Sequence, residues 1–292
     1  MSRFRDRLPE NVDGDFYVDH SCIDCDLCRQ LAPATFTRSD EKSQSYVHAQ
    51  PVGHAGQHRA LMALVTCPTS SIGTTHKLDS KDAARALPEP LSPMIDDVMF
   101  CGWASPNSYG AAAWLIRRSD GNVLVDSPRF ASTLADRIAE LGGVRWMFLS
   151  HRDDVADHRQ FAKRFGCERV LHRDDITRDT RDVERILEGD APIELAPDLR
   201  IVPVPGHSRG SCVLIYRDQF AFTGDHVWGD EDELVLEAGR DVSWYSWPEQ
   251  QRSMVRLADH PFTWVLPGHG RRFHLPTPEA MRTELLRLAA AM

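Results

Sequence analysis

No apolar run in this sequence approaches the ~18 residues that a helix needs to cross a bilayer, so no membrane-spanning helix is expected. Basic runs are missing as well. Acidic residues outnumber basic ones, 43 to 34, for a formal net charge of -9, and neither sign is concentrated in one stretch, so a nucleic-acid partner is not expected. The opening M-S-R-F-R-D-R is charged and lacks the apolar core of a secretory signal, which sets the expectation of a cytoplasmic protein. Internal repeats and low-complexity tracts are absent from the sequence. Its 292 residues are enough for about two domains.

Cysteine is scarce and unevenly placed. Of seven, Cys22, Cys25, Cys28 and Cys67 fall in the first quarter, whereas Cys101, Cys167 and Cys212 are scattered through apolar or mixed surroundings. An odd number in a chain expected to be cytoplasmic is poorly explained by disulfides, and it reads as four ligands and three buried thiols. Cys22-Ile-Asp-Cys25-Asp-Leu-Cys28 is a C-x-x-C-x-x-C loop, and Cys67 is followed at once by Pro68. Three thiolates two residues apart can wrap one cluster while a fourth arrives from elsewhere. The competing reading is a zinc knuckle, but zinc sites usually pair two C-x-x-C or H-x-H units, and that layout is not present.

The second notable stretch is Ser150 to His158, S-H-R-D-D-V-A-D-H, which follows the strand-like run Val144 to Leu149. Asp153 and Asp154 suit a helix start, and Asp154, Asp157 and His158 fall at i, i+3 and i+4, one helical face. Three later pieces share a form: Ile201 to Pro205 leads to Gly206-His207, Cys212 to Phe222 leads through a hairpin to Thr223-Gly224-Asp225, and Thr263 to Pro267 leads to Gly268-His269. In each, a glycine precedes a ligand-type residue, letting the backbone approach a site closely. The repeated form argues for a single site.

Coarser patterns fill in the rest. Met99 to Trp103, Ala112 to Ile116 and Asn122 to Asp126 read as strands, Phe130 to Leu141 as an amphipathic helix, Val170 to His172 as a strand, and Arg181 to Glu188 as a helix. Thr277-Pro278-Glu279 reads as the capped start of a final helix. The proline-rich A-L-P-E-P-L-S-P reads as an extended spacer within a linker assigned to residues 81–97, between domains at 1–80 and 98–292. Ser243-Trp-Tyr-Ser-Trp247 concentrates three aromatics and suggests a pocket wall or a docking surface. Asp126 reads as a partner of a metal-bound imidazole or as a simple cap, His226 as a supporting or core histidine, and Ser208 and Arg209 as candidate substrate contacts.

Two family resemblances organise these readings. Residues 1–80 resemble the single-cluster bacterial ferredoxins: C-R-Q-L-A-P-A-T-F resembles their helix after the third cysteine, Tyr46-Val47 their following strand, and Cys67-Pro-Thr-Ser-Ser-Ile their C-P-T-G-A-I ending. The resemblance implies one 4Fe-4S cluster on Cys22, Cys25, Cys28 and Cys67. Residues 98 to 292 resemble the metallo-β-lactamase fold superfamily, whose motif is H-x-H-x-D-H followed by single His, Asp and His residues. His151 matches the first His, Asp157 and His158 the D-H pair, then His207, the bridging Asp225 and His269. Two extra residues before Asp157 leave the second His without a counterpart. Asp153 keeps its spacing, while Asp154 is better placed on the helical face. An oxygen ligand there weakens the presumption of zinc and raises that of iron or manganese.

Together these imply an α+β chain, a ferredoxin-like domain followed by a four-layer αββα sandwich. The first expectation for function is a hydrolase acting on a small-molecule ester, thioester or phosphoryl centre through one or two zinc or iron ions, with Asp157 orienting the nucleophile. The alternative is a redox-active iron enzyme, resembling oxygen or nitric oxide reductases or persulfide dioxygenases, exchanging electrons through the cluster and a redox partner protein.

Overall fold

The computed structural model describes residues 2–232 and 234–292. The chain divides into two compact units, Met1–Arg145 with Ala156–Gly166, and Trp146–Val155 with Cys167–Met292.

In the first unit, strand Phe16–Val18 pairs antiparallel with Ile72–Thr74, and Phe36–Ser39 forms a hairpin with Gln44–Val47. Helices Leu27–Leu31 and Gly53–Thr66 accompany these strands, and the long one ends directly at Cys67. Tyr46-Val47 is thus in a strand, as the ferredoxin resemblance implies. The presumed spacer is ordered instead. Lys81–Arg85 is helical, and Glu89–Ser92 is a strand paired with Ile95–Phe100. Pro90 is tolerated because Glu89–Ser92 is the edge of its sheet, where a missing N–H disrupts no ladder on the outer side. Antiparallel pairing continues through Trp114–Ile116 to Val123–Val125. Helices Ser132–Glu140 and His158–Phe165 belong to this unit, and the Phe130 and Phe161 rings meet edge to face at 5.1 Å.

The second unit contains a parallel set, Trp146–Phe148 beside Glu168–His172 beside Arg185–Leu187. The last of these replaces the helix expected over Arg181 to Glu188. Three residues of edge pairing outweigh the local helical pattern, an ordinary case of tertiary context overriding propensity. Six strands form the other sheet, in the order Ile193–Ala196, Leu199–Pro203, Cys212–Tyr216, Phe220–Gly224, Trp264–Pro267, Phe273–His274. Every pair in it is antiparallel except Phe220–Gly224 with Trp264–Pro267.

Helices Trp247–Leu257 and Pro278–Ala291 bury Met254, Leu257, Met281 and Leu285 in one core with Val202, Val213, Ile215, Ala221 and Val265 of that sheet. Each such leucine or methionine stabilises the fold by roughly 1.5–3 kcal/mol relative to exposure. Ser246 and Thr277 cap the two helices, their hydroxyl oxygens accepting from Glu249 N and Ala280 N, each cap worth about 1 kcal/mol. This layer packs against the two parallel strands after which Asp225 and His269 emerge.

Candidate functional site

The first unit gathers the four cysteines of the first quarter around one cavity, with Val18, Leu27 and Ile72 among its apolar lining. Cys22 and Cys25 bracket Asp24, and Asp26 follows. Both aspartates adopt left-handed backbone, φ 57° and 67°, which closes the loop tightly. Burial pushes the Cys28 thiol up to about 12 and Cys25 well above its ordinary value, with repulsion from the neighbouring thiols adding to both. Thiols raised in this way, Cys22, Cys25 and Cys28, ionise only against a cationic centre, so the chemistry of the cradle fits an iron-sulfur cluster. Gly110, at φ +88°, packs against this loop: a Cβ there would lie 2.6 Å from Cys25 Cβ and 3.1 Å from Cys25 Sγ.

In the second unit the parallel pair accounts for the strand-glycine-ligand pattern. Gly224 registers with Pro267, and Gly268 N donates to Gly224 O, so the residues that follow emerge side by side. Those residues are Asp225 and His269, and His269 Nδ1 lies 2.9 Å from both Asp225 carboxylate oxygens. His151 arrives after strand Trp146–Phe148 and His207 after Leu199–Pro203. Their rings meet edge to face at 4.7 Å.

Two groups of ligand atoms form, each with all its atoms within 4.8 Å of one another: His151, His207 and Asp225, and Asp154, Asp225 and His269. Asp225 is common to both. Asp153 borders the first group, with its Oδ2 3.6 Å from His207 Nε2 and 3.9 Å from His151 Nε2.

Electrostatics and hydrogen bonding fit a cation here. His151 Nε2 and both His207 ring nitrogens are buried and have no hydrogen-bond partner among the described residues, while carboxylate oxygens stand 3.6–3.9 Å away. Burial pulls the His151 pKa down, partly offset by Asp225, which favours the neutral imidazole that binds metal. Burial alone would raise the Asp225 pKa, but His269, His151 and His207 together hold its carboxyl well below the ordinary range. Space is arranged to match: a Cβ on Gly268 would fall 2.6 Å from Asp154 Oδ2 and 2.9 Å from Asp225 Oδ1. One on Gly224 would fall 2.5 Å from Ser150 Oγ, itself 2.9 Å from His151 Nδ1.

The remaining nominees are placed as follows. Residues 151–157 form bends and turns, Ala156 has φ 22°, and the helix begins only at His158, so Asp154, Asp157 and His158 do not share one helical face. The two extra residues are taken up in this loop. Asp157 and His158 lie in the first unit and in neither ligand group. Asp157 Oδ2 accepts from Phe130 N at 2.8 Å, and His158 is buried. Ser208 is turned inward, donating to Asp175, and Arg209 pairs with Asp174 at 3.3 Å. Asp126 is buried, with left-handed backbone. Burial drives the His226 pKa down to about 3, with further lowering from His207. Trp244 and Tyr245 each donate backbone N–H to His207 O, and the 67% exposed Trp244 ring stands 6.3 Å from the His207 ring.

One supporting residue carries no local signal. Asp175 is fully buried and accepts from Arg152 N at 3.0 Å, Gly210 N at 2.9 Å and Ser208 Oγ. It thereby ties the loop after His151 to the loop after His207.

Residues 18–74 match the family described as the 4Fe-4S single cluster domain of Ferredoxin I. The chain is similar to DIM-1 metallo-β-lactamase exposed to ceftazidime, with 16% identity, a TM-score of 0.53, and coverage of 68% of this chain and 95% of that one. It is also similar to ETHE1 from Myxococcus xanthus, with 17% identity, a TM-score of 0.47, and coverage of 66% and 85%. Among curated proteins it is similar to the uncharacterized protein YmaE of Bacillus subtilis (strain 168), 27% identical over 154 residues, or 51% of this chain. The match spans about half the length of that relative, 54%. The chain therefore has a metallo-β-lactamase-like sandwich of mixed α+β architecture. In this protein that sandwich follows a ferredoxin-type 4Fe-4S domain at residues 18–74.

Proposed function

We propose that the chain is a metal-dependent hydrolase in which His151, Asp153, His207 and Asp225 hold one ion and Asp154, Asp225 and His269 a second, zinc or iron, acting on a small-molecule ester, thioester or phosphoryl compound. The observation that carries this reading is the sharing of Asp225 between two compact donor groups. Divalent ions held by these residues would supply Lewis acidity and would lower the pKa of a water from about 15.7 to about 7. The protein's own share is positional. Burial favours the neutral form of His151, His269 foremost favours the ionised form of Asp225, and Asp175 fixes the two loops that bring His151 and His207 together. Asp153, half-exposed, stands beside His151 and His207 as the fourth donor of the first group. The exposed Trp244 ring beside His207 offers an apolar wall for substrate. Asp157, engaged by Phe130 N, is assigned the anchoring of the helix start.

A second reading, a redox-active iron enzyme, is favoured by the 4Fe-4S single cluster domain matched at residues 18–74 of the same chain. Within the same unit, Arg129 Nη2 donates to Val65 O, two residues before Cys67, Arg129 N donates to Trp103 O, and the next residue binds Asp157. A covalent and hydrogen-bonded path thus joins the cysteine cradle to the start of helix His158–Phe165. Metal analysis and EPR of anaerobically purified protein, before and after dithionite, separate the two readings. Zinc on the second unit and turnover of a panel of esters, thioesters and phosphodiesters support the hydrolase. Iron there, changing spin state as the cluster is reduced, replaces it with the redox enzyme.

A further inference from the structure

The four clustered thiols are not surrounded by apolar side chains alone. Ser45, buried in strand Gln44–Val47, lines the same cavity: its backbone N–H donates to Cys22 Sγ at 3.4 Å, and its side chain lowers the Cys28 pKa against the rise that burial imposes. The Ser45 oxygen meanwhile accepts from Arg29 Nη1 at 2.7 Å. With its oxygen engaged by Arg29, the hydroxyl keeps its proton to donate into the cavity that Cys28 also lines. Arg29 is itself buried and clamped from the cysteine loop, Nη1 donating to Asp24 Oδ1 at 2.6 Å and Nε to Asp26 Oδ1. On the other side of the cradle, buried Ser71 has its Oγ 3.2 Å from Cys67 Sγ. Ser71 stands where the C-P-T-G-A-I ending has alanine, so its hydroxyl is a feature of this chain. A thiolate bound to iron can only accept, and both hydroxyls must then donate.

We propose that Ser45, oriented by Arg29, and Ser71 are positioning residues that raise the reduction potential of the cluster held by Cys22, Cys25, Cys28 and Cys67. The inference rests on the iron-sulfur reading of the cradle. One-electron reduction places an extra negative charge on the cluster and its thiolates. Hydrogen bonds aimed at those sulfurs stabilise the reduced state more than the oxidised one, with no bond or proton changing hands.

The test is a potentiometric titration of the full chain, reconstituted anaerobically with iron and sulfide and reduced stepwise by dithionite with mediator dyes, following the EPR signal of the reduced cluster. Ser45→Ala and Ser71→Ala are each expected to shift the midpoint to more negative potential, and the double variant further. Ser71→Thr, which keeps a hydroxyl, is expected at the parent midpoint. Arg29→Lys, which keeps the charge but not the fork, is expected to follow Ser45→Ala in direction, and a parent-like value removes Arg29 from the device. A double variant with parent-like midpoint and full iron and sulfide content overturns the proposal. Where Ser45→Ala does not retain its cluster, Ser71→Ala against Ser71→Thr decides, and equal midpoints overturn it. A parent protein that takes up no iron and sulfide overturns the cluster reading itself.

Discussion

His269 presents Nδ1 to both carboxylate oxygens of Asp225 at 2.9 Å, although 44 residues separate them in sequence. Two parallel strands, whose register shifts between Phe222 and Gly224 so that Gly224 faces Pro267, produce this closeness, and Asp225 is also grouped with a second set of donors. Asp225→Asn keeps the shape and removes the charge shared by both groups. Metal content after dialysis is expected to fall in both positions together, with affinity reduced by well over the roughly 10- to 100-fold typical of supporting residues. Elemental analysis of parent and variant checks this. Loss of half the bound metal would show that the two groups do not share this carboxylate.

Gly268 brings the backbone close to two of the candidate ligands. Gly268→Ala places a methyl 2.6 Å from Asp154 Oδ2 and 2.9 Å from Asp225 Oδ1. Weaker metal binding at the group containing His269 is expected with the fold retained, measured as metal content beside the far-ultraviolet circular dichroism spectrum.

Asp175 braces two ligand loops from inside. Asp175→Ala strands Arg152, Ser208 and the Gly210 N–H around a cavity, and a loss of about 3–5 kcal/mol is expected in urea unfolding. Asp175→Asn, which keeps an acceptor oxygen, should recover part of it. Equal losses for the two would show that charge alone holds the loops.

Trp244 tests the substrate wall without disturbing the core. Its ring is 67% exposed, so Trp244→Ala is expected to change stability by no more than about 0.5 kcal/mol. KM for apolar substrates should rise while kcat changes less. A change in kcat alone would place the ring outside the binding surface.

Arg169 and Glu184 supply a pH dependence. Burial alone would raise the Glu184 pKa, but hydrogen bonds from the Arg169 side chain and backbone outweigh it and hold the carboxyl below its ordinary value. A depressed carboxyl contributes stability above its unfolded pKa, about 4.3, and loses it as pH falls through the folded value. Glu184→Gln is therefore expected to cost stability at pH 7, by about 1 kcal/mol or less because the glutamate is partly exposed. The gap should close toward pH 3, as followed by urea unfolding. A gap of constant size would assign the effect to packing.

The chain itself determined much of this arrangement. C-x-x-C-x-x-C with a distant C-P, and three strands each ending in glycine and a ligand-type residue, are local patterns whose spacing survives folding. Both mark clusters in the structure. Capping signals did the same for the last helix. Other features depend on partners remote in sequence. The strand at Arg185–Leu187 exists because Glu168–His172 lies beside it, and the edge strand at Glu89–Ser92 because Ile95–Phe100 does. The two extra residues after His151 gave no sign of how the loop would accommodate them. Only the folded loop sets Asp154 beside Asp225 and His269, and leaves the helix to start at His158. Asp175, Ser45 and Arg29 acquire their roles from burial and from donors brought in by other segments. A one-dimensional pattern cannot contain that information, because the direction of a buried hydrogen bond is fixed by which segments the core packs together.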